Sequence, residues 1–319
     1  MTNRMNQRRP RSRTVLVTGA SSGIGAGIAR RLMSEGASHR LVLTARRVES
    51  LESLANDARQ QGCDVLVLPD DLADPDAPER IISAAVARFG GIDVLINNAG
   101  LGLPDPFSRA NPLELARQIQ VNFTAPLILT RLALPYLVKS KGTIINIGSS
   151  ITCVANPIFG AYGATKAALA YWNDALRREL RPHGVSVCLA EPGPVVTEFF
   201  QAVASRFPGR GSQGGGFSAE DLASAETFRQ FAAIDPPPAW TSATVDDVAC
   251  RIVRLLEHPR RRISVLRRVV WPFRALGLLI RAVPLLGDIA IGRMVTRMEA
   301  LPADPNSNAG GVADVRAGR

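Results

Sequence analysis

A short apolar run that leads directly into a glycine-rich turn constrains the fold of this chain more than any other feature. The run Thr14–Val17 is apolar and β-branched, as in a buried parallel strand, and a helical pattern after the turn ends near Gly36. Strand, glycine-rich turn and helix in this order predict a site for nucleotide phosphates, because glycines let the backbone approach closely and the helix start supplies N–H groups. The candidate contacts in the turn are Gly19, Ser21, Ser22, Gly23, Ile24 and Gly25.

The alternation of strand and helix continues along most of the chain. Repeated strand–helix units predict an α/β fold with a doubly wound parallel sheet of the Rossmann type, in a single domain over residues 13–268. Further strands are expected at 41–44, 65–68, 94–96, 143–147, 185–189 and 262–266, and helices at 48–60, 77–89, 112 to about 137, around 162 to about 181, and 245–258.

Charge and cysteine usage narrow the class of protein. The net charge is +10, and much of the excess lies in two arginine clusters, at residues 4–13 and 260–268. No nucleic-acid motif accompanies them, so attraction to an anionic membrane surface or simple solubility is favoured over nucleic-acid binding. The four cysteines are scattered, which indicates reduced thiols in a cytoplasmic protein, and no metal site is predicted. The amino terminus lacks the apolar region of a signal peptide.

The end of the second strand bears on the choice of cofactor. In such folds an acidic residue there binds the adenosine 2′-hydroxyl of NAD, whereas an arginine accommodates the 2′-phosphate of NADP. Arg46 and Arg47 follow this strand, and no acidic residue lies between the strand and Glu49. We therefore expect NADP(H) to be preferred, with Arg46 as the main contact and NAD(H) still possible. The alternative is a solvated pair of arginines at the start of a helix.

Two further strand ends carry candidate cofactor contacts. After the third strand, Asp71 and Leu72 lie where an acidic residue can contact adenine, although Asp74 or Asp76 just beyond can equally begin a helix. After the fourth strand, small residues at the carboxyl end let a cofactor lie close to the backbone. The candidates there are Asn98, Ala99 and Gly100.

A tyrosine and a lysine four residues apart are the strongest candidates for acid–base chemistry. Tyr162 and Lys166 fall on one face of a predicted helix. A free tyrosine has a pKa of about 10, and a neighbouring cation favours the phenolate and lowers that pKa. The pair alone is a weak signal, because an ordinary helix can carry both residues by chance. Asn122 lies in the middle of a long helical pattern, where asparagine is unfavourable, and this indicates a polar role.

Together these motifs resemble the short-chain dehydrogenase/reductase family. The resemblance spans about residues 13–268, and the full ordered set is far more specific than any single motif. It implies hydride transfer between the nicotinamide C4 and a carbonyl or alcohol carbon. The motifs are Thr18-Gly-x-x-x-Gly-x-Gly25, Asn97-Asn-Ala-Gly100, Asn122, Ser149, Tyr162-x-x-x-Lys166, and Pro192-Gly193 with Thr197.

The resemblance also implies a role for each polar side chain. Tyr162 would be the general acid in reduction and the base in oxidation, while Lys166 would lower its pKa and bind the nicotinamide ribose. Ser149 would hydrogen-bond the substrate oxygen, and Asn122 would hold a water that links Lys166 to solvent. The alternatives are a strand-end hydroxyl for Ser149 and a buried amide bonded to backbone for Asn122. Residues implied to flank the nicotinamide are Pro192, Gly193, Val195 and Thr197.

The segments outside these motifs carry separate expectations. Residues 1–12 and 302–319 are expected to be disordered tails, and residues 199–240 a substrate lid. The phenylalanines of that lid favour a hydrophobic substrate, although they can equally form a small core of its own. Residues 269–301 are expected to form an amphipathic helical extension. Its part 269–290 could contact the inner face of a membrane, cover the cleft or form an interface.

The sequence therefore predicts an NADPH-preferring oxidoreductase that acts on a carbonyl/alcohol pair of a lipophilic small molecule. Family analogy favours a homodimer or homotetramer in the cytoplasm. The alternative is a non-catalytic regulatory protein that binds NADP, and the complete set of four candidate catalytic residues argues against it.

Overall fold

The computed structural model describes the core of the predicted domain. The described residues are 12–34, 39–103, 107, 110–155, 159–193, 195, 197–198, 243–265, 275 and 278. The expected helix end near Gly36, the lid at 199–240 and the tail at 302–319 lie outside them, as do the other tail apart from Ser12 and nearly all of the extension at 269–301.

Seven parallel strands form one sheet in the order β3-β2-β1-β4-β5-β6-β7. The chain begins at the centre, builds outward to β3, and then crosses back to β4, so β1 and β4 flank the point where the winding reverses. This doubly wound sheet confirms the predicted fold class. The strands are β1 Thr14–Thr18, β2 Arg40–Ala45, β3 Asp64–Pro69, β4 Val94–Asn97, β5 Thr143–Ile147, β6 Ser186–Glu191 and β7 Arg262–Ser264.

Helices cover both faces of the sheet. Side chains alternate along each strand, so that Val15 and Val17 face one core cluster with helices α1, α2 and α7, while Leu16 faces the other with α3, α5 and α6. Burial on both faces explains why the strands are continuous apolar runs. The helices are α1 Gly23–Ser34, α2 Val48–Gln60, α3 Ala77–Phe89, α4 Pro112–Ile119, α5 Ala125–Ser140, α6 Gly160–Leu180 and α7 Val245–Val253.

The long helix predicted from residue 112 is interrupted at its centre. A π-helical turn, Gln120–Thr124, joins α4 to α5, and the N–H of Ala125 donates to the carbonyl of Gln120, five residues back. Pro126 has no N–H and cannot make the α-helical bond to the carbonyl of Asn122. The expected helix at 245–258 also differs, because it ends at Val253 and continues as a 3₁₀ turn.

The segment from α4 to α5 is apolar enough and long enough to cross a membrane by composition alone. In this protein it covers one face of the sheet, where Leu129, Ala133 and Leu137 are completely buried in the core cluster. It is therefore a core helix, and the same helix carries Asn122 toward the carboxyl edge of the sheet.

Candidate active site

The glycine-rich turn adopts a conformation that glycine accommodates best. Gly19 and Gly23 have positive φ angles of 65° and 51°, where other residues are strained. A Cβ atom on Gly25 would collide with the carbonyl oxygen of Gly19. The turn therefore requires glycine at these three positions.

The first turn of α1 presents free hydrogen-bond donors. The N–H of Ala26 bonds to the carbonyl of Ser22 at 3.2 Å, whereas the described residues offer no acceptor to the N–H groups of Gly23, Ile24 and Gly25. Such donors, at the positive end of the helix dipole, suit the phosphates of a dinucleotide.

Thr18 joins the glycine-rich turn to the end of β4. Its hydroxyl donates to the carbonyl of Ile96 at 3.3 Å and accepts the N–H groups of Asn98 and Ala99 at 2.9 and 3.0 Å. The Asn98 amide returns a bond to the Thr18 carbonyl at 2.9 Å. Asn98 and Ala99 therefore line the point where the winding reverses. Apart from its place at the end of a strand, nothing in the sequence indicated this bridging role of Thr18.

Ser149 and Tyr162 are brought together from different elements. Ser149 follows β5, and its hydroxyl accepts the N–H of Ile151 at 3.2 Å. The Ser149 side chain also lies close enough to Tyr162 to affect the pKa of the phenol. Tyr162, on α6, is 9% exposed. Burial raises the pKa of Tyr162 to about 12, and the nearby Ser149 side chain opposes part of that rise.

Lys166 lies one turn further along α6 and is also buried. Its Nζ donates to the carbonyl of Ile147 at 2.8 Å and lies 6.0 Å from the centre of the Tyr162 ring. Burial lowers the pKa of Lys166 to about 8. The predicted lowering of the Tyr162 pKa is therefore wrong as a net effect here, because burial disfavours the charged phenolate and raises the pKa.

Asn122 is fully buried, and its amide bonds to the loop after β4. Its Oδ1 accepts the N–H of Leu101 at 2.7 Å, and its Nδ2 donates to the Leu101 carbonyl at 2.8 Å and to the Thr165 hydroxyl at 3.1 Å. Asn122 is therefore a buried amide bonded to backbone, which is the alternative that the sequence analysis left open. The water relay stays a prediction. A Cβ atom on Gly100 would lie 3.5 Å from both Asn122 Oδ1 and Lys166 Nζ.

Four further buried amides support these elements, and sequence reasoning missed their roles. Gln118, in the last turn of α4, accepts the N–H of Leu103 at 2.8 Å. The Asn146 amide accepts from Asn97 at 2.9 Å and donates to Asn173 on α6 at 3.0 Å. Their only sequence signal is a polar residue at an otherwise apolar position. Together they fix α6 and the loop after β4 against the sheet.

The end of β2 presents two exposed arginines with different surroundings. Arg47 reaches the Ser21 hydroxyl with Nε at 3.4 Å and Nη2 at 3.3 Å, and its Nη1 lies 2.6 Å from Glu198 Oε2. Arg46 has no hydrogen-bond partner among the described residues. The guanidinium on the glycine-rich turn is therefore that of Arg47, while Arg46 faces solvent.

The remaining predicted contacts lie around the same edge of the sheet. Asp71 accepts the N–H of Ala73 at 3.0 Å and a bond from Arg117 at 2.6 Å, while Leu72 is buried. The Asp71 carboxylate therefore stabilises the turn that leads into α3 and, through Arg117, links this turn to α4.

The segment after β6 lies next to Ser149 and the glycine-rich turn. The Pro192 carbonyl accepts the N–H of Ser150 at 3.2 Å, and Gly193 follows it, partly buried. Val195 is buried and bridges Ala243. A Cβ atom on Gly23 would lie 3.3 Å from the side chain of Thr197.

Comparison with known proteins agrees with this geometry. The family model for short chain dehydrogenases matches residues 13–206. This chain is a member of the short-chain dehydrogenase family.

The relatives of this short-chain dehydrogenase differ in the substrates that their names state. It is 36% identical over 188 residues to 11-beta-hydroxysteroid dehydrogenase-like 2 of Arabidopsis thaliana, a match covering 58% of this chain and 60% of the relative. It is 38% identical over 191 residues to serine 3-dehydrogenase of Agrobacterium fabrum, covering 59% of this chain and 74% of that protein. The match thus spans less than two thirds of the Arabidopsis relative.

Solved structures of short-chain dehydrogenases include complexes with nicotinamide cofactors. A metagenomic short-chain oxidoreductase in complex with NADP is 30% identical with a TM-score of 0.60, and the match covers 79% of this chain and 96% of that one. A short chain dehydrogenase from Burkholderia cenocepacia in complex with NADP is 26% identical with a TM-score of 0.65, covering 80% and 97%. Both of these solved neighbours are complexes with NADP, and both share the fold of this short-chain dehydrogenase.

Proposed function

We propose that this enzyme prefers NADPH and transfers hydride between the nicotinamide and a carbonyl or secondary alcohol of a lipophilic small molecule. The observation that carries the proposal is that Tyr162 and Lys166 lie one helical turn apart on α6, both buried beside the end of β5, with the Ser149 side chain close to the Tyr162 phenol. A phenol and a hydroxyl that converge on one point can hold a single substrate oxygen.

The described residues fit a dinucleotide along the carboxyl edge of the sheet. The N–H groups at the start of α1 would hold its phosphates, and the small residues Asn98 to Gly100 leave room for it beside β4. Lys166 would bind the nicotinamide ribose. When bound, the cofactor supplies or accepts the hydride, and the protein's task is to orient both reactants and move the proton.

The proton step is assigned to Tyr162. In reduction its hydroxyl would donate to the substrate oxygen, and in oxidation the phenolate would remove that proton. A pKa near 12 keeps Tyr162 protonated at neutral pH, which is the form that carbonyl reduction needs. Oxidation should therefore accelerate as the pH rises, until the phenolate predominates.

The cofactor preference rests on the paired arginines after β2. We expect Arg46→Ala to weaken NADPH binding about tenfold to a hundredfold, because a hydrogen bond to a charged group contributes about 1.5–3 kcal/mol. NADH binding should change little, since NADH lacks the 2′-phosphate. Fluorescence titration of the wild type and the variant with both reduced cofactors measures this. Clearly tighter binding of NADH by the wild type would contradict the NADPH preference.

The substrate class is supported by two lines of reasoning. The 11-beta-hydroxysteroid dehydrogenase-like relative is named for a large apolar substrate, and the expected lid is rich in phenylalanine. The serine 3-dehydrogenase relative is named for a small polar one. A screen of carbonyl and alcohol compounds, graded by chain length and polarity and followed by NADPH absorbance, distinguishes a large apolar substrate from a small polar one. Turnover that rises with apolar size supports the proposal, and turnover confined to small polar compounds contradicts it.

Homo-oligomer formation is part of the same proposal. Leu113 on α4 and Tyr171 on α6 are large apolar side chains that are 80% and 82% exposed, so each could lie in an interface between copies. Sedimentation velocity with the Tyr171→Glu variant tests whether the exposed side of α6 joins two copies. The proposed membrane contact through 269–290 lies outside the described residues. It fails if the full chain stays in the soluble fraction with anionic vesicles at low salt.

A further inference from the structure

An acidic residue next to the proposed cofactor site has no assigned role. Glu198 follows Thr197 in the segment after β6, and its Oε2 lies 2.6 Å from Nη1 of Arg47. The remaining Arg47 nitrogens reach the hydroxyl of Ser21 in the glycine-rich turn. The ion pair therefore connects three segments that are far apart in sequence: the glycine-rich turn, the end of β2 and the chain after β6.

A second contact holds the segment after β6 in the same place. The side chain of Thr197 lies against Gly23, the first residue of α1, where a Cβ atom would come within 3.3 Å of it. Glu198 is therefore not an isolated surface acid. It is held over the start of α1 by its neighbour and by Arg47.

The charges around Arg47 and Arg46 differ in a way that matters for a 2′-phosphate. Arg47 already faces a carboxylate, whereas Arg46 has no acidic partner among the described residues. A phosphate monoester carries between about one and a half and two negative charges near neutral pH. It would be attracted to both arginines and repelled by Glu198.

We propose that Glu198 is a specificity-determining residue for the cofactor. Its carboxylate competes with the adenosine 2′-phosphate for the Arg47 guanidinium and so weakens the binding of NADPH relative to NADH. This inference rests on the proposed function, since it assumes that the dinucleotide lies along the edge containing Arg46 and Arg47. It concerns the ratio of the two affinities, whichever cofactor the wild type prefers.

The expected effect is moderate because the pair is partly exposed to solvent. The side chains of Arg47 and Glu198 are 48% and 54% exposed, so water and salt screen their interaction. We expect Glu198→Gln, which keeps the shape and removes the charge, to tighten NADPH binding about twofold to fivefold at low salt. NADH binding should change by less than about twofold, and added salt should reduce the difference between the cofactors.

The matched control is a similar ion pair at the opposite end of the sheet. Glu257 lies 2.6 Å from Arg13 and is 53% exposed, nearly the same as Glu198. Fluorescence titration of the wild type, Glu198→Gln and Glu257→Gln with NADPH and NADH gives the ratio of dissociation constants for each protein. Only Glu198→Gln should shift that ratio toward NADPH.

A double-mutant cycle tests whether Arg47 is the shared cation. In an Arg47→Gln background the effect of Glu198→Gln on the ratio should fall to less than half, because no guanidinium remains to compete for. An unchanged ratio in Glu198→Gln, an equal shift by Glu257→Gln, or an undiminished effect without Arg47 would each overturn the inference. A wild type that binds neither cofactor would instead reject the proposed function, and the inference with it.

Discussion

Tyr162→Phe should lower kcat by about 10²–10⁴-fold and leave NADPH binding within about twofold of the wild type, since a positioned general acid typically contributes this much. The change removes one oxygen atom. It keeps the ring, which packs edge-on against Phe159 with a centroid separation of 6.1 Å. The loss should therefore fall on proton transfer. Turnover is followed by NADPH absorbance, and cofactor binding by fluorescence titration.

A second tyrosine supplies the matched control. Tyr136 on α5 is partly buried, and its ring lies against Gly91 before β4. Tyr136→Phe removes an equivalent hydroxyl away from the candidate site, so its kcat should stay close to that of the wild type. If Tyr162→Phe retained near-normal turnover, the acid–base assignment would be wrong. A large loss in both variants would point to a structural effect.

Lys166→Met should inactivate the enzyme and at the same time stabilise the fold. At neutral pH the ammonium of Lys166 is buried, and burial lowers its pKa from 10.5 to about 8. Burying that charge destabilises the folded protein. Methionine has a similar length and no charge, so the variant should gain about 1–3 kcal/mol in free energy of unfolding at pH 7, after loss of the bond to Ile147.

The stability gained by Lys166→Met should shrink as the pH rises from 8 to 10.5. Between about pH 8 and 10.5 the unfolded chain binds the Lys166 proton and the folded chain does not, so the wild-type stability rises with pH relative to the variant. Below pH 8 Lys166 is protonated in both the folded and the unfolded chain, so the folded protein bears the full free-energy cost of burying this charge. Denaturant unfolding at pH 7 and at pH 10, with exposed Lys139→Met as the control, measures the difference. A Lys166→Met variant less stable than the wild type at both pH values would contradict the account.

Much of the fold could be predicted because its signals are local. The bounds of α2 and α3 were predicted to the residue, and β5 likewise, since amphipathic periodicity and buried apolar runs are properties of short segments. The glycine-rich turn could also be predicted from the sequence. A strand that runs straight into glycines and a helix leaves few alternative structures.

The features that escaped prediction depend on contacts between distant segments. The π-helical turn at Gln120–Thr124 accompanies the bonds of Asn122 to Leu101, a loop residue whose proximity no local pattern indicates. The Arg47–Glu198 pair likewise joins residues 151 positions apart.

The direction of the Tyr162 pKa shift was missed for a related reason. The sequence showed the cation four residues away but not how deeply both side chains are buried. Burial disfavours the charged form of each side chain, so it raises the pKa of Tyr162 and lowers that of Lys166.

The most direct test follows the hydride itself. The wild type would be incubated with NADPH deuterated at the transferable C4 position and with the best carbonyl compound from the screen, and the alcohol product analysed by mass spectrometry. The account predicts one deuterium on the former carbonyl carbon with the wild type, and at least about a hundredfold less labelled product in the same time with Tyr162→Phe. A wild type that binds NADPH yet transfers no deuterium to any compound would contradict the central claim.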